Sequence, residues 1–325
     1  MPAKASPRAS RSLASLVQAR ADLLRAAARH PAWSAIEARL GDRLRAHFAA
    51  DPPRLQRLDG RTRSVILNNL IRYEAVHEIL SLHDLRRRLQ ADRRCYGLFS
   101  PFMPDEPLVF TELALARSVV TDVGTILDPD APIADQETCT CAMFYSISAC
   151  HDGLRGVPFG GLLIRKVLDR LQHELPWLNT FATVSPVPGF RPWLNGLARK
   201  EGGRLREIVG TLDSADWFGD EETAARMKAA LVPLCASYML DAKRGAEPLD
   251  PVARFHLGNG ARLERINWLG DRSRAGLNRS AGFTANYTYD PGEMDTNHDF
   301  YQRTRAVVAA GQLAVLAHGA SWYLA

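Results

Sequence analysis

One arginine and three glycines lie together in the segment Arg155-Gly156-Val157-Pro158-Phe159-Gly160-Gly161. A helical pattern follows directly, and the backbone N–H groups at a helix start have no partner within the helix. Glycines let a phosphate approach the backbone, and the Arg155 guanidinium offers a fixed fork of donors for its oxygens. The segment therefore fits a pyrophosphate site, and a plain crossover with a tight glycine turn fits it equally well. It is not a P-loop, because no Gly-Lys-Ser/Thr follows, nor is it a complete dinucleotide fingerprint.

Two runs that predict strands flank this segment. Residues 141–147 form an apolar, β-rich run, and residues 181–184 form a second one that ends at Ser185-Pro186. Between them, apolar residues recur at helical spacing until Pro176 ends the pattern: Leu163, Val167, Leu171 and Leu175. The predicted order is strand, glycine-rich loop, helix and strand, with Ser185 at the end of the second strand.

Two resemblances involve this segment. The string Arg155–Gly160 resembles the Arg/Gln-x-x-Gly-x-Gly/Ala loop with which GNAT-type acyltransferases hold the pyrophosphate of coenzyme A. Pro158 stands where that superfamily usually has glycine, and proline has no N–H to donate. A resemblance to malonyl-CoA decarboxylase is more specific and rests on longer strings: FYSIS, GLRGVPFGGLLIRKVLDRLQHELPWLNTF, SPVPGFRPWL and the block from Pro251 to Tyr289. It covers roughly the C-terminal two thirds of the chain and, more weakly, Glu74–Phe99.

The second resemblance implies roles for three residues. Ser185 matches the family's catalytic serine, His256 its catalytic histidine in the string Phe-His-Leu-x-Asn-Gly, and Tyr289 a tyrosine of its pocket. The implied reaction converts malonyl-CoA to acetyl-CoA and CO2. Without the resemblance, a serine at the end of a strand is more simply interpreted as a residue that caps a turn, and a tyrosine at the end of a strand as a packing residue.

The chemistry of this substrate sets what the protein must supply. The thioester carbonyl accepts the electron pair, so we expect no metal and no cofactor beyond the CoA moiety of the substrate. We assign His256 as the acid that protonates the α-carbon, and Ser185 as the residue that orients the carboxylate or the thioester oxygen. A covalent acyl-serine route is the alternative within the same activity.

Two other functions fit the same residues. A GNAT fold commonly transfers acetyl from acetyl-CoA to an amine, and a degenerate relative could bind acyl-CoA as a non-catalytic sensor. Fold alone does not choose among them. Release of CO2 from malonyl-CoA with no second substrate would separate the decarboxylase from both alternatives.

Length and charge limit the classes of partner. The chain has 325 residues and a formal net charge of +5, with arginines scattered along its length. This surplus suits an anionic small ligand such as malonyl-CoA or acetyl-CoA, and no nucleic-acid motif accompanies it. No apolar run approaches the ~20 residues that span a bilayer, so we expect no membrane partner.

The cysteine content and the N-terminal residues are informative about the cellular compartment. The count of five cysteines is odd and no secretory signal is evident, which favours a reducing compartment. Cys139 and Cys141 share one strand face, and we interpret them as small buried residues rather than metal ligands. Residues 1–12 are basic and rich in Ser and Ala, which suggests a disordered start of a bacterial cytoplasmic protein, with mitochondrial targeting as the alternative. The C-terminal residues lack a peroxisomal Ser-Lys-Leu signal.

The length of the chain and the change from helical to strand periodicity along it predict two domains. Residues 1–92 predict a helical bundle, with helices at about 13–28, 33–48, 61–80 and 81–92. In the resembled family such a domain mediates oligomer contacts; here it is shortened, and a homo-oligomer is one expectation.

Residues 93–325 predict a GNAT-like mixed-sheet domain with a helical insertion at about 194–247. The acidic cluster Asp216, Asp220, Glu221 and Glu222 predicts a helix start in the insertion rather than a metal site. Strands are predicted at 108–115, 255–268 and 281–289, with an Asn259-Gly260 hairpin just after His256. Helices are predicted at 118–127 and 303–323.

Overall fold

A computed structural model describes residues 7–27, 30–214 and 216–320. The α-helices of this part of the chain are α1 (Pro7–Ala27), α2 (Ser34–Ala50), α3 (Ser64–Tyr73), α4 (Leu82–Arg88), α5 (Gly124–Leu127), α6 (Phe159–Glu174), α7 (Phe190–Glu201), α8 (Gly203–Leu212), α9 (Glu221–Asp241), α10 (Pro251–Gly258), α11 (Arg274–Ser280), α12 (Met294–Thr304) and α13 (Gly311–His318). Its strands are β1 (Arg54–Leu58), β2 (Arg93–Phe99), β3 (Val109–Ala116), β4 (Cys141–Ala149), β5 (Thr180–Thr183), β6 (Ser185–Pro186), β7 (Lys243–Arg244), β8 (Glu247–Pro248), β9 (Arg262–Asn267) and β10 (Thr284–Thr288). A helical region therefore precedes a mixed-sheet region, as predicted.

The contacts within the chain define two compact units. The first takes the described residues up to Leu115, together with Pro132–Cys139 and Phe144–Leu178; the second takes Ala116–Ala131, Thr140–Met143 and the described residues from Asn179 onward. Neither unit ends at residue 92, and the domain boundary expected there stays a prediction.

The first unit is built on strands β1, β2 and β3, which pair antiparallel in that order. A hydrophobic cluster lies against them and includes Leu70 of α3 and Phe110 of β3, both fully buried. This unit ends with the helix α6, whose apolar stripe Leu163, Val167 and Leu171 is buried as its spacing predicts.

The second unit is organised around β10. Strand β9 pairs antiparallel with one edge of β10, and β5 and β6 pair with it as two successive pieces. Aromatic side chains from several elements pack beside it; the ring centroids of Phe190 on α7 and Phe283 lie 5.4 Å apart. The residues predicted to be catalytic come from this unit.

Several helix predictions near the N-terminus need correction. The helix predicted at 61–80 ends at Tyr73, because the Glu74 carboxylate accepts the N–H groups of Val76 and His77 in place of helical partners. Strand β1 was not predicted in this region. Helix α1 begins at Pro7, inside the stretch predicted to be disordered, whereas residues 1–6 lie outside the described residues.

Later elements also differ in extent from their predictions. The helix predicted at 118–127 is confined to α5. Within the range 303–323, which was predicted as one helix, only residues 303–304 at the end of α12 and the helix α13 are α-helical in the described part of the chain, and the left-handed conformation of Arg305 ends α12. The C-terminal residues 321–325 lie outside the described part of the chain.

The acidic cluster at residues 216–222 and the cysteines follow the sequence interpretation. Asp220 caps α9 by accepting the N–H of Thr223, and Glu221 and Glu222 lie in its first turn, as predicted for a helix start. All five cysteines are buried and free of disulfides. Among the described helices, we find none with the length and apolar character to cross a membrane.

Candidate active site

The loop that leads into α6 offers free hydrogen-bond donors. Pro158 is the N-cap residue of α6, and Leu162 is the first residue whose N–H bonds back to it, at 3.3 Å. Within the described residues, the N–H groups of Gly160 and Gly161 have no hydrogen-bond partner. Two donors at the start of a helix form the kind of site that binds a phosphate. Pro158 removes no donor from this pair.

The conformation of this loop is held by an N-terminal helix. The buried Arg20 of α1 donates through Nη1 to the backbone oxygens of Gly153 and Arg155, both at 2.8 Å. Gly153 has no room for a side chain, because a Cβ there would lie 1.9 Å from the Val17 carbonyl oxygen. The side chain of Arg155 itself is exposed and makes no hydrogen bond to another described residue. The backbone of the loop is thus anchored, while the Arg155 guanidinium stays available for a ligand.

Ser185 and His256 come together in the second unit. Ser185 belongs to β6, where it pairs with Ala285 of β10, and His256 belongs to α10. The distance from Ser185 Oγ to His256 Nε2 is 2.9 Å, and both side chains are buried. The two residues predicted from the resemblance therefore form a hydrogen-bonded pair across 71 positions of sequence.

Thr183 decides which atom donates in this pair. Ser185 Oγ donates to Thr183 Oγ1 at 2.9 Å, and Thr183 Oγ1 also accepts the N–H of Tyr287 at 3.1 Å. Since the single hydroxyl hydrogen of Ser185 points to Thr183, the contact with His256 requires a hydrogen on Nε2. In this arrangement Ser185 accepts from the imidazole, and the imidazole is not placed as a base toward Ser185.

Tyr289 completes the hydrogen bonding of the imidazole. Its hydroxyl lies 2.7 Å from His256 Nδ1, and its main chain is held by an N–H bond of 2.8 Å to the Phe181 carbonyl. With the ring neutral and Nε2 protonated, Nδ1 carries a lone pair and accepts from the phenol. Tyr289, which the resemblance implied only as a tyrosine of the pocket, is thus the group that orients the histidine.

Burial controls the electrostatics of the three residues. It lowers the pKa of His256 to about 3, because the surrounding protein solvates an imidazolium poorly. It also raises the pKa of Tyr289, which keeps the phenol protonated. The Tyr287 ring stacks on the imidazole, with centroids 4.4 Å apart, and excludes water from that face. In the absence of substrate the site is uncharged at neutral pH.

The predicted secondary structure around His256 was wrong. His256 lies in helix α10 and not at the end of a strand, and Asn259-Gly260 ends this helix instead of forming a hairpin. Gly260 has φ +86°, and the N–H groups of Gly260 and Ala261 bond back to Leu257 and His256. The sequence carried a signal for this helix in Asp250-Pro251, an N-cap residue followed by proline at the first helical position.

Sequence reasoning also missed Thr183, Tyr287 and Asp250. Thr183 stands two residues before Ser185, and Tyr287 two residues before Tyr289, so strand alternation places each pair on a common face. That spacing could have suggested them as neighbours. The loop 155–161 belongs to the first unit and the residues around His256 to the second.

Comparisons with known proteins agree on one family. Residues 53–321 match the family model of the malonyl-CoA decarboxylase C-terminal domain. The mitochondrial malonyl-CoA decarboxylase of Rattus norvegicus is 34% identical over 330 aligned positions, which cover 93% of this chain and 67% of the rat protein.

Solved structures give the same result. The crystal structure of malonyl-CoA decarboxylase from Rhodopseudomonas palustris matches with a TM-score of 0.86 and 41% identity, covering 92% of this chain and 75% of that one. The enzyme from Agrobacterium vitis matches with a TM-score of 0.87 and 40% identity, covering 93% of this chain and 75% of the other.

Proposed function

The chain belongs to the malonyl-CoA decarboxylase family, and we propose that it converts malonyl-CoA to acetyl-CoA and CO2. This membership confirms the family predicted from the sequence strings and makes the chain a carboxy-lyase by relationship. The observation that supports the proposed chemistry best is the buried chain of contacts from Ser185 through His256 to Tyr289. It supplies an oriented proton donor in a buried site.

The first step is the loss of CO2. The bond between the carboxylate carbon and the α-carbon breaks, and its electron pair moves onto the α-carbon and into the thioester carbonyl, which gives an enolate. No external electron acceptor is consumed, so we propose that no cofactor is required beyond the CoA moiety. Donors aimed at the enolate oxygen usually provide the largest stabilisation in such reactions. We assign this role to Ser185, whose hydroxyl would turn from Thr183 toward the carboxylate or thioester oxygen.

The second step is proton transfer to the α-carbon. When substrate binds, the His256 ring takes one proton from solvent and becomes an imidazolium; it then donates its Nε2 hydrogen to the α-carbon, the enolate becomes the acetyl thioester, and the ring returns to neutral imidazole. A pKa of about 3 makes the free imidazole neutral. A malonyl carboxylate beside it favours the imidazolium, because an opposite charge within ~4–6 Å raises a histidine pKa. We therefore propose that substrate binding prepares His256 as an acid.

An acyl-serine intermediate is less well supported. Such a route needs a base that removes the hydroxyl hydrogen of the nucleophile. Here Ser185 directs that hydrogen to Thr183, and His256 presents a hydrogen instead of a lone pair. We therefore propose the direct route.

The loop before α6 is proposed to bind the phosphates of coenzyme A. The N–H groups of Gly160 and Gly161, which have no partner in the described part of the chain, and the exposed Arg155 support this assignment, since they combine backbone donors with a positive charge. Gly156, Val157, Pro158 and Phe159 complete the loop.

The cellular location and the oligomeric state of this protein are also proposals. We propose a bacterial cytoplasmic enzyme of fatty-acid metabolism, with mitochondrial targeting as the alternative, and a homo-oligomer as in the resembled family. Size measurement of the purified chain tests the assembly.

One incubation tests the proposed activity against both alternatives. The purified chain is mixed with malonyl-CoA and a chelator, with no amine acceptor and no added cofactor, and acetyl-CoA and CO2 are quantified. We expect both products in equal amounts, at a rate that His256→Ala abolishes. Tight binding of malonyl-CoA without any product would contradict the proposal and favour the sensor. Product formation only after addition of an amine and acetyl-CoA would favour the transferase.

A further inference from the structure

The Asp250 carboxylate connects the segments that carry Ser185 and His256. Its Oδ1 accepts the N–H groups of Val252 at 2.9 Å and Ala253 at 3.0 Å, which caps α10. Its Oδ2 accepts the N–H of Gly189 at 3.2 Å and the hydroxyl of Tyr238 at 3.1 Å. The side chain is only 1% exposed, so these bonds do not compete with water.

We propose that Asp250 is a positioning residue that sets the separation of Ser185 and His256. This inference rests on the proposed function, since it concerns the geometry of the same pair. Gly189 follows Ser185 by four residues, and His256 follows Asp250 by six, in the helix α10 that Asp250 caps. The carboxylate thus links the two segments at a short distance along the chain from each catalytic side chain.

The packing around Gly189 shows how closely the two segments approach. A Cβ at Gly189 would lie 2.0 Å from the Tyr238 hydroxyl and 3.3 Å from Asp250 Oδ2. Between Ser185 and Gly189, the N–H of Val187 donates to the Ser280 hydroxyl at 3.1 Å. The segment after Ser185 is therefore held at two points, and Asp250 is the one that connects it to the helix of His256.

A carboxylate is needed because its two oxygens serve different segments. An asparagine keeps one oxygen for the N-cap of α10, and asparagine is as good a cap as aspartate. Its amide group cannot accept the N–H of Gly189, so that contact is lost. Burial raises the pKa of Asp250, and a neutral amide avoids the cost of burying this charge. Asp250→Asn should therefore fold while releasing the segment of Ser185.

The test compares Asp250→Asn with Asp220→Asn, which makes the same substitution at the exposed N-cap of α9. For Asp250→Asn we expect kcat to fall by about 10- to 100-fold, because a misplacement of ~1 Å can cost about 100-fold in rate. KM should stay within about threefold, since substrate binding does not depend on this bond. Tyr238→Phe, which leaves the Gly189 bond in place, should lower kcat by less than Asp250→Asn. Asp220→Asn should leave both constants unchanged.

A second readout does not depend on turnover. In ¹⁵N spectra of histidine-labelled protein, the Nε2–H signal of His256 is assigned by its loss in His256→Gln. We expect Asp250→Asn to move this signal toward its position in Ser185→Ala, and Asp220→Asn to leave it in place. An unmoved signal in Asp250→Asn, or a kcat within about twofold of wild type, would overturn the inference. If the wild type released no CO2, the proposed function would fail while the spectra still tested the positioning.

Discussion

The hydroxyl of Tyr289 lies 2.7 Å from Nδ1 of His256, on the side of the ring opposite Ser185. Serine hydrolases commonly place a carboxylate at this position, where it stabilises an imidazolium and makes the histidine a base. A phenol that donates instead leaves the ring neutral with its hydrogen on Nε2. This relationship suits a histidine that delivers a proton to carbon, which is the step that decarboxylation requires after CO2 has left.

Replacing Tyr289 with phenylalanine should separate this orienting role from packing. The ring is retained while the hydroxyl that bonds Nδ1 is lost, so the imidazole can rotate or change tautomer. We expect kcat to fall by about 10- to 100-fold, in keeping with the loss of an oriented acid that is worth ~10² to 10⁴. Tyr301→Phe on α12 is the matched control. Equal activities of the two variants in a malonyl-CoA decarboxylation assay would refute the orienting role.

Ser185→Ala and His256→Ala test the two proposed catalytic residues. Each should lower kcat by at least about 100-fold, because each removes a group that acts on the reacting atoms. Acetyl-CoA binding should change little, since the phosphate contacts are assigned to the loop 155–161. Calorimetric titration with acetyl-CoA checks the second expectation. Near-full activity in either variant would show that the residue has another role.

Protein stability should report the unusual pKa of His256. The pKa of a histidine in an unfolded chain is ~6.5, whereas burial lowers the pKa of folded His256 to about 3. Between these values the unfolded chain binds a proton that the folded chain does not, so the free energy of unfolding falls as the pH falls. Relative to pH 8, the loss at pH 5 should be about 2 kcal/mol, at ~1.4 kcal/mol per pH unit.

Urea unfolding of wild type and His256→Gln at pH 5 and pH 8 measures this difference. Glutamine does not titrate, so the variant should lack the histidine's share of the pH dependence. His83→Gln is the control, because the exposed His83 contacts water in both states. A wild type and a His256→Gln variant with parallel pH profiles would show that His256 titrates normally in the folded protein.

Arg155→Ala tests the loop. The guanidinium is assigned to the phosphates, and a hydrogen bond to a charged group is worth about 1.5–3 kcal/mol. We therefore expect KM for malonyl-CoA to rise by about 10- to 100-fold with kcat nearly unchanged. Added salt should weaken wild-type binding more than that of the variant, because exposed charges are screened. The exposed Arg206→Ala on α8 should show neither effect, and a fall in kcat alone for Arg155→Ala would contradict the assignment.

The amino-acid sequence was sufficient to predict the family, the helix-rich character of the N-terminal region and the order of strand, loop, helix and strand around residues 141–184. Local periodicity and turn residues carry that information, because they depend on neighbours within a few positions. The long strings shared with malonyl-CoA decarboxylases also pointed to Ser185, His256 and Tyr289 individually.

How these residues act together depends on contacts that form only in the folded protein. The helix that carries His256 had competing local signals, Asp250-Pro251 for a helix start and Asn259-Gly260 for a hairpin, and packing of Gly260 against Met294 selected the helix end. The contacts of His256 with Ser185 and Tyr289 span 71 and 33 positions. Spacing along the chain does not encode such distances, because they arise when β6, α10 and β10 pack on one another. The roles of Thr183 and Asp250 have the same origin.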